Sequence, residues 1–571
     1  MKGPTWLLAV ALVFRVAAGL RAANDGAIAL PPFIVEESRP WVFAEVPGYE
    51  FLSRCSEATT RQIVESQVGL HRLLGEILPP HLQMTMTLPR SFILYDEELQ
   101  AKSSHEVVTG LLENTLHQSR RANFLPNLRL SDRDAMVIFM LARRSGFKPE
   151  ETRLTPEYVA YLLRNRRPLL PAWFYGGFMG LYNSLKFEGD RITIRPFGGA
   201  DGLLLVRKKD DTKSYFIESA NNQSKQSGKL ISGVATPSFE ELFLGQKSNS
   251  GDDDELERMR LWRARSSLFV RWGLEPARRI SLWKFIERGS TEPITEKLFQ
   301  ECFGIDYAKA VQRVTEYSRT EVRQPIVVTL SRASRVPAIA LNVATAAQVA
   351  RIKGDWERLE VGYVREFFPE LVPKYLAQAR LTLDRGRVSE SRNSQLLAVL
   401  GLCERDNGDG AAAKKFLEEA IKVGPVRPRA AFELAHYRLL EHRANPGGAN
   451  GKISTAQASE VMAPLLASLA QQPPLHEVFD LIGQVWDRAE STPTREDLAT
   501  LERGFALFPE KTHLLLRAAE LNLRHGFRAE AAKLLPEAVA MLDKLAKRNI
   551  IHKKKADNLK SGLMKKVNGL K

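Results

Sequence analysis

A catalytic zinc held by a helix needs two imidazoles four residues apart, so that both lie on one face, and a carboxylate beside the first to activate water. The run Pro156-Glu157-Tyr158-Val159-Ala160 has a carboxylate, Glu157, in that place. Pro156 and Ala160 stand where the imidazoles would and can coordinate nothing. No histidine occurs between His117 and His436, so this stretch has no substitute to offer. The other histidines have no partner at ligand spacing beside acid or cysteine and read as isolated, satisfied side chains. From these residues no metal, cofactor or catalytic group is expected, and the reading leans against an enzyme. Glu157 itself is a helix-surface carboxylate, a relic, or a group that binds a cationic partner.

Downstream lies Pro171-Ala172-Trp173-Phe174-Tyr175-Gly176-Gly177-Phe178-Met179-Gly180-Leu181-Tyr182. It resembles the P-x-W-x-x-E-G-x-A-x-x-Y segment of gluzincin metallopeptidases, especially peptidase MA-like domains, and the similarity covers about 131–320. The segments Phe187–Ile194 and Phe303–Tyr307 also look like that family. The resemblance implies a mostly helical metallopeptidase-like fold whose ligand positions, Pro156, Ala160 and Gly176, are all emptied. It therefore implies a pseudoenzyme. The aromatics Trp173, Phe174, Tyr175 and Tyr182 either line a vacated cleft that holds an extended peptide, together with Glu157, or form a core at helical spacing. Gly176, Gly177 and Gly180 lack the Lys and Ser/Thr of a phosphate loop and fit a close helix contact.

The elements that must position these residues divide the chain. Residues 1–22 have the layout of a secretory signal: Lys2, an apolar run from Trp6 to Phe14 continuing from Val16 to Leu20 across Arg15, and small residues at Ala22 and Ala23. Residues 23–145 mix helical spacing, as in Ile63–Leu78, with strand-like Met84–Leu88 and Ser91–Tyr95, and predict an α+β domain. Residues 146–330 carry the degenerate peptidase-like domain, with helices at Thr155–Arg164 and Glu255–Gly273 and a strand at Arg191–Arg195. The polar stretch Ser219–Ser250 predicts a long exposed loop. Asp252, Asp253 and Asp254 lack the alternation of a calcium loop and read as a solvated charge run.

From 341 to 547 the chain turns Ala- and Leu-rich with helical spacing. From Ser394, small or apolar residues recur at Leu400, Gly401, Gly408, Ala413, Leu417 and Ala420, with Pro425 closing the unit. Ala519, Gly526, Ala531, Leu535 and Ala538 repeat those offsets, and weaker units centre on Gly354, Ala435 and Gly483. This resembles the tetratricopeptide repeat, and implies an all-α solenoid that binds protein or peptide on an extended concave face.

The formal charge is +15, from 82 basic and 67 acidic residues, which keeps an anionic envelope surface among the partners. A basic tail, 548–571, carries Lys553-Lys554-Lys555 and Lys565-Lys566. No aromatic follows Phe527 to stack on bases, so a nucleic-acid partner is not expected. No apolar run after the signal is long enough to span a membrane. Cys55, Cys302 and Cys403 are far apart and read as buried small side chains, with one long-range bridge left open. The expectation is an exported, periplasmic or envelope-associated, non-catalytic interaction or scaffold protein. The alternative is an envelope hydrolase with an unrecognised site.

Overall fold

The central strands of the first domain are near-continuous apolar runs, Phe92-Ile93-Leu94 and Met136 to Ala142, and successive residues point to opposite faces, the pattern of a sheet covered on two sides. The computed structural model describes residues 40–46, 48–79, 90–96, 110–111, 114, 127–142, 156–164, 169–182, 184–188, 190–195, 205–208, 214–218, 231–232, 238–244, 253–290, 292–319, 324–329, 339–509, 511–547, 554, 557–558, 560–561 and 564–565. The signal at 1–22, the strand-like Met84–Leu88 and the side chain of Glu157 lie outside the described residues.

The chain begins with β1 (Val42–Val46), β2 (Tyr49–Ser53), α1 (Glu57–Ile77), β3 (Arg90–Asp96), β4 (Asn127–Ser131) and β5 (Met136–Ala142). Ser56 caps α1 by accepting from the Thr59 amide. α2 (Pro156–Arg164), α3 (Ala172–Tyr182), β6 (Leu185–Glu188), β7 (Arg191–Ile194), β8 (Leu205–Lys208), β9 (Ser214–Glu218) and β10 (Ile231–Ser232) follow. Next come α4 (Phe239–Leu244), α5 (Asp253–Leu274), α6 (Arg279–Gly289), α7 (Glu296–Phe303), α8 (Tyr307–Arg319), β11 (Ile326–Thr329) and β12 (Asn342–Val343).

The main sheet has the order β12-β1-β2-β3-β5-β4. β2, β3 and β5 run parallel, while the β1–β2 and β4–β5 pairs are antiparallel. β12 pairs with β1, so residues that sequence pattern places in the repeat region complete the first sheet. One face of the sheet, with Phe51, Phe92, Leu94, Ile138 and Met140, shares a core with α1 and the middle helices. The other, with Leu52, Ile93, Val137, Phe139 and Leu141, packs on helices beyond residue 345. All seven residues of β5 are buried as a result.

Those helices are α9 (Ala346–Phe367), α10 (Val372–Ser389), α11 (Ser394–Asn407), α12 (Gly410–Val423), α13 (Pro428–Ala444), α14 (Thr455–Ser468), α15 (His476–Arg488), α16 (Arg495–Leu507), α17 (Thr512–Arg524) and α18 (Arg528–Lys547). Each packs on the next, and α9, α11, α13, α15 and α17 also pack on one another in a continuous layer. Gly354, Ala435, Gly483 and Ala519 each sit in the first helix of a pair. Small residues there let helices approach: a Cβ on Gly401 would meet Leu417 at 2.6 Å, and one on Gly354 would collide with Leu383.

The predicted exposed loop at Ser219–Ser250 needs correcting. Within it, α4 buries Phe239, Leu242 and Phe243 in the middle core. Their i, i+3, i+4 spacing is the signal that the surrounding Ser, Asn and Gln outweighed. Among the described residues no helix is long and apolar enough to cross a membrane.

Candidate interaction site

Pro156 opens α2, where a missing amide costs nothing, and it and Ala160 are half-buried. Between them Tyr158 is buried, its hydroxyl 2.8 Å from Nε2 of His71. Nδ1 of His71 lies 2.6 Å from the Gln67 carbonyl, which can only accept, so Nδ1 carries the proton and Nε2 accepts from Tyr158. This histidine is satisfied by core partners.

A Cβ on Gly176 would stand 2.7 Å from the Trp262 ring of α5. A Cβ on Gly177 would stand 2.5 Å from the Ser266 carbonyl, and one on Gly180 would collide with Ser267. The three glycines are thus the contact surface of α3 on α5. Trp173, Phe174 and Tyr182 are fully buried. Trp173 packs edge-on to Phe243 and Phe269, at 5.4 and 5.3 Å between ring centroids. Of the two sequence readings, these three take the core one. Tyr175 is half-buried under the Arg164 guanidinium, 5.1 Å from its ring centroid.

The cysteines are buried and free. Burial pushes the Cys403 thiol up to about 12, the opposite of a nucleophile.

The densest polar chemistry lies where the β4–β5 turn meets the first-helix layer. The turn presents Asp132-Arg133-Asp134. Arg358 of α9 donates to Asp132 at 2.5 Å, to Asp355 at 2.9 Å and to Asp406 of α11 at 2.7 Å. Arg427, just before α13, donates to Asp134 and Asp355, each at 2.9 Å. Arg429 donates to Asp132 at 2.5 Å and to Asp406 at 3.0 Å, and its amide to Asp134 at 2.8 Å.

Asp134 and Arg358 are completely enclosed. Burial alone would raise the Asp132 carboxyl, but Arg358, Arg427 and Arg429 outweigh it and hold it well below the usual carboxylate range. Asp355 and Asp406 are lowered by the same contest, burial against arginine. Sequence reasoning missed this cluster because its members are scattered over four segments, the β4–β5 turn, α9, α11 and the start of α13. The only local hints were the Asp-x-Asp and Arg-x-Arg spacings at 132–134 and 427–429.

Beyond the turn the layer continues along α15 and α17. Arg133 reaches Glu477 at 3.3 Å. Arg517 bridges Asp480 at 3.2 Å and Asp487 at 2.6 Å, and Arg524 pairs with Asp487 at 2.9 Å. A pocket of about 110 Å³ opens among Phe432, Leu439, Leu440 and Leu481, beside a wider recess of about 560 Å³ at Gln484, Arg488 and Glu520.

The last part of this layer has relatives. The family described as ribosomal protein S20 matches residues 510–568. Small ribosomal subunit protein bS20 of Christiangramia forsetii is 50% identical over 58 residues, 10% of this chain and 71% of that protein. Through this segment the chain belongs to the ribosomal protein S20 family. The bS20 of Parabacteroides distasonis is 63% identical over 41 residues, 7% of this chain and 49% of its own length. That of Flavobacterium psychrophilum is 41% identical over 69 residues, 11% of this chain and 83% of its own length.

The S20-family segment includes α17 and α18, whose Leu515, Ala519, Ala531, Ala538 and Leu542 belong to the core shared with α13 to α16. It is packed into the helical array as its final pair. A solved structure described as the functional characterization of Pseudomonas aeruginosa pilF is also similar, at 13% identity and a TM-score of 0.25 over 38% of this chain and 90% of its own. At that score it supports no statement about this chain.

Proposed function

We propose that this chain is an exported interaction scaffold, a pseudo-peptidase domain fixed to a tetratricopeptide-like solenoid whose first-helix layer receives a peptide of a partner. The observation that carries this reading is the chain's own Asp132-Arg133-Asp134 turn, seated on that layer and held by Arg358, Arg427 and Arg429. A face that grips one polypeptide turn through paired carboxylates has the chemistry to grip another. Pro156, Ala160 and Gly176 supply no ligand atoms, and the Trp262 ring occupies the space a longer side chain at 176 would need.

The test is a photo-crosslinking side chain at Leu440 in the full chain, followed by identification of the adducts from an envelope fraction. Adducts that map to one protein segment support the reading. Stoichiometric zinc with chelator-sensitive peptidase activity in the purified chain would establish the envelope hydrolase instead.

The S20-family segment favours a second reading, in which the chain associates with the small ribosomal subunit. The absence of aromatics after Phe527 argues against stacked single strands, but contacts to the phosphates of folded RNA need only cations. Co-sedimentation with small subunits, lost steeply as salt rises, supports this reading, and fractionation of cells separates it from export.

A further inference from the structure

We infer that the first-helix layer beyond the β4–β5 turn is a docking groove for an acidic peptide segment of a partner protein, with one apolar side chain as its anchor. This rests on the interaction-scaffold reading and names what the partner carries.

The groove continues an interface the chain already makes. Arg133, the middle residue of the seated turn, pairs with Glu477, which lines the 110 Å³ pocket, so the bound turn ends where the open groove begins. The pocket floor is apolar and Leu440 is 47% exposed beside it. An apolar cavity of about 150 Å³ holds a benzene ring, so a pocket of this class takes one branched side chain.

The charges decide the sign of the occupant. The acids along the groove are engaged: Glu477 by Arg133, Asp480 by Arg517 and Gln484, and Asp487 by Arg517 and Arg524. Arg443 and Arg488 are exposed, and among the described residues neither has an ion pair. Glu520 is the one groove acid in the same position. The excess is cationic, and on the neighbouring part of the same layer arginines take aspartates. Guanidinium groups match carboxylates in geometry as well as charge.

The experiment measures fluorescence anisotropy of a labelled, end-capped peptide of alternating Asp and Leu with the full chain. Two counterparts replace every Asp by Lys or every Leu by Ser. The Asp–Leu peptide is expected to bind, and both counterparts to bind at least about tenfold more weakly. Arg443→Glu combined with Arg488→Glu weakens the Asp–Leu peptide about tenfold or more, and Leu440→Asp does the same through the pocket. All three sites are exposed, so unchanged unfolding midpoints show that the fold is intact.

Equal binding by the reversed-charge variant, or by the Lys counterpart, overturns the proposal. So does displacement of the peptide by an RNA oligonucleotide together with loss of binding on removing residues 553–571, which places the anion site in the tail. If the acidic peptide fails while the Leu440 crosslinker still maps to one protein segment, the occupant's chemistry is wrong and the scaffold reading stands. If both fail, the scaffold reading falls with it.

Discussion

The Nε of Arg427 donates to Oδ1 of Asp134 across 2.9 Å, joining residues 293 apart in sequence. Asp134 is also the acceptor for the Arg429 amide, so it ties the sheet to the entry of α13 by side chain and backbone together. Removing one partner of a buried charge network leaves the others desolvated and unmatched. Asp134→Ala is expected to cost about 3 to 5 kcal/mol in urea unfolding. Combining it with Arg427→Met should cost less than the two single losses added, because the stranded guanidinium is gone. Additive losses would show that the pair is not coupled.

Acid should loosen the same junction. The folded-state pKa values of Asp132, Asp355 and Asp406 are lowered, so each contributes stability that is present above the unfolded value, about 4, and is lost as pH falls through the folded value. Glu50 behaves alike: burial raises its carboxyl, but paired hydrogen bonds from Arg351 at 2.8 and 2.5 Å lower it on balance. The unfolding free energy is expected to drop steeply only below about pH 4, and a variant lacking Asp132 should show a shallower acid limb.

Glu360 has the opposite sign. Burial first, and then Glu357, push its carboxyl well above the usual range, against a hydrogen bond from the Trp356 indole. It is therefore protonated in the fold at pH values where the unfolded chain has released the proton. Stability falls as pH rises from about 4 toward the folded value. Glu360→Gln keeps an acceptor for Trp356 and removes that penalty, so it should stabilise the chain at pH 8 by on the order of 1 kcal/mol and leave stability at pH 4 nearly unchanged. Thermal unfolding at the two pH values decides it.

Local periodicity made much of the helical region readable: Gly354, Ser394, Ala435, Gly483 and Ala519 each mark the first helix of a pair. Strands β3 and β7 and helices α1, α2 and α5 follow from the same kind of pattern. What sequence could not show was long-range. β12 joins β1 by pairing residues three hundred positions apart, and only two of its residues do so, too few for a period. The arginine–aspartate cluster is assembled from a sheet turn and three helices, and the short Asp-x-Asp and Arg-x-Arg spacings within it do not say that those segments meet. The aromatics at 173–182 were ambiguous between cleft and core until the glycines beside them were seen to hold α3 against α5.

Introducing a carboxylate at position 176 is expected to damage the fold. The first atom of the new side chain would already stand 2.7 Å from Trp262, on a helix held close to α5 at Gly177 as well. Overpacking of this kind costs about 1 to 3 kcal/mol, and a buried unpaired charge adds to it. Gly176→Glu should therefore unfold at lower temperature than Gly176→Ala, and both below the parent. A Gly176→Glu protein as stable as the parent would show that Trp262 yields and that space for a ligand exists.

The basic tail is where the two functional readings part. Among the described residues Leu542 is the last in the helical core, and the tail residues Lys554 and Lys565 are exposed, so truncation after 552 should leave the unfolding midpoint unchanged. If the S20-family segment holds folded RNA, each phosphate that the shortened chain no longer neutralises lowers the slope of log affinity against log salt by about 0.7 to 0.9. The truncated chain should then release small ribosomal subunits at lower salt and with a shallower slope. Binding of the acidic peptide should be untouched, because Arg443 and Arg488 stand on α13 and α15. A tail whose removal changes neither salt slope nor sedimentation is a solvated helix end, and the cations of the S20-family segment would then have to be sought on α17, where Arg517 and Arg524 are already paired with Asp480 and Asp487, and on α18, which carries Arg528, Lys533, Lys544 and Lys547.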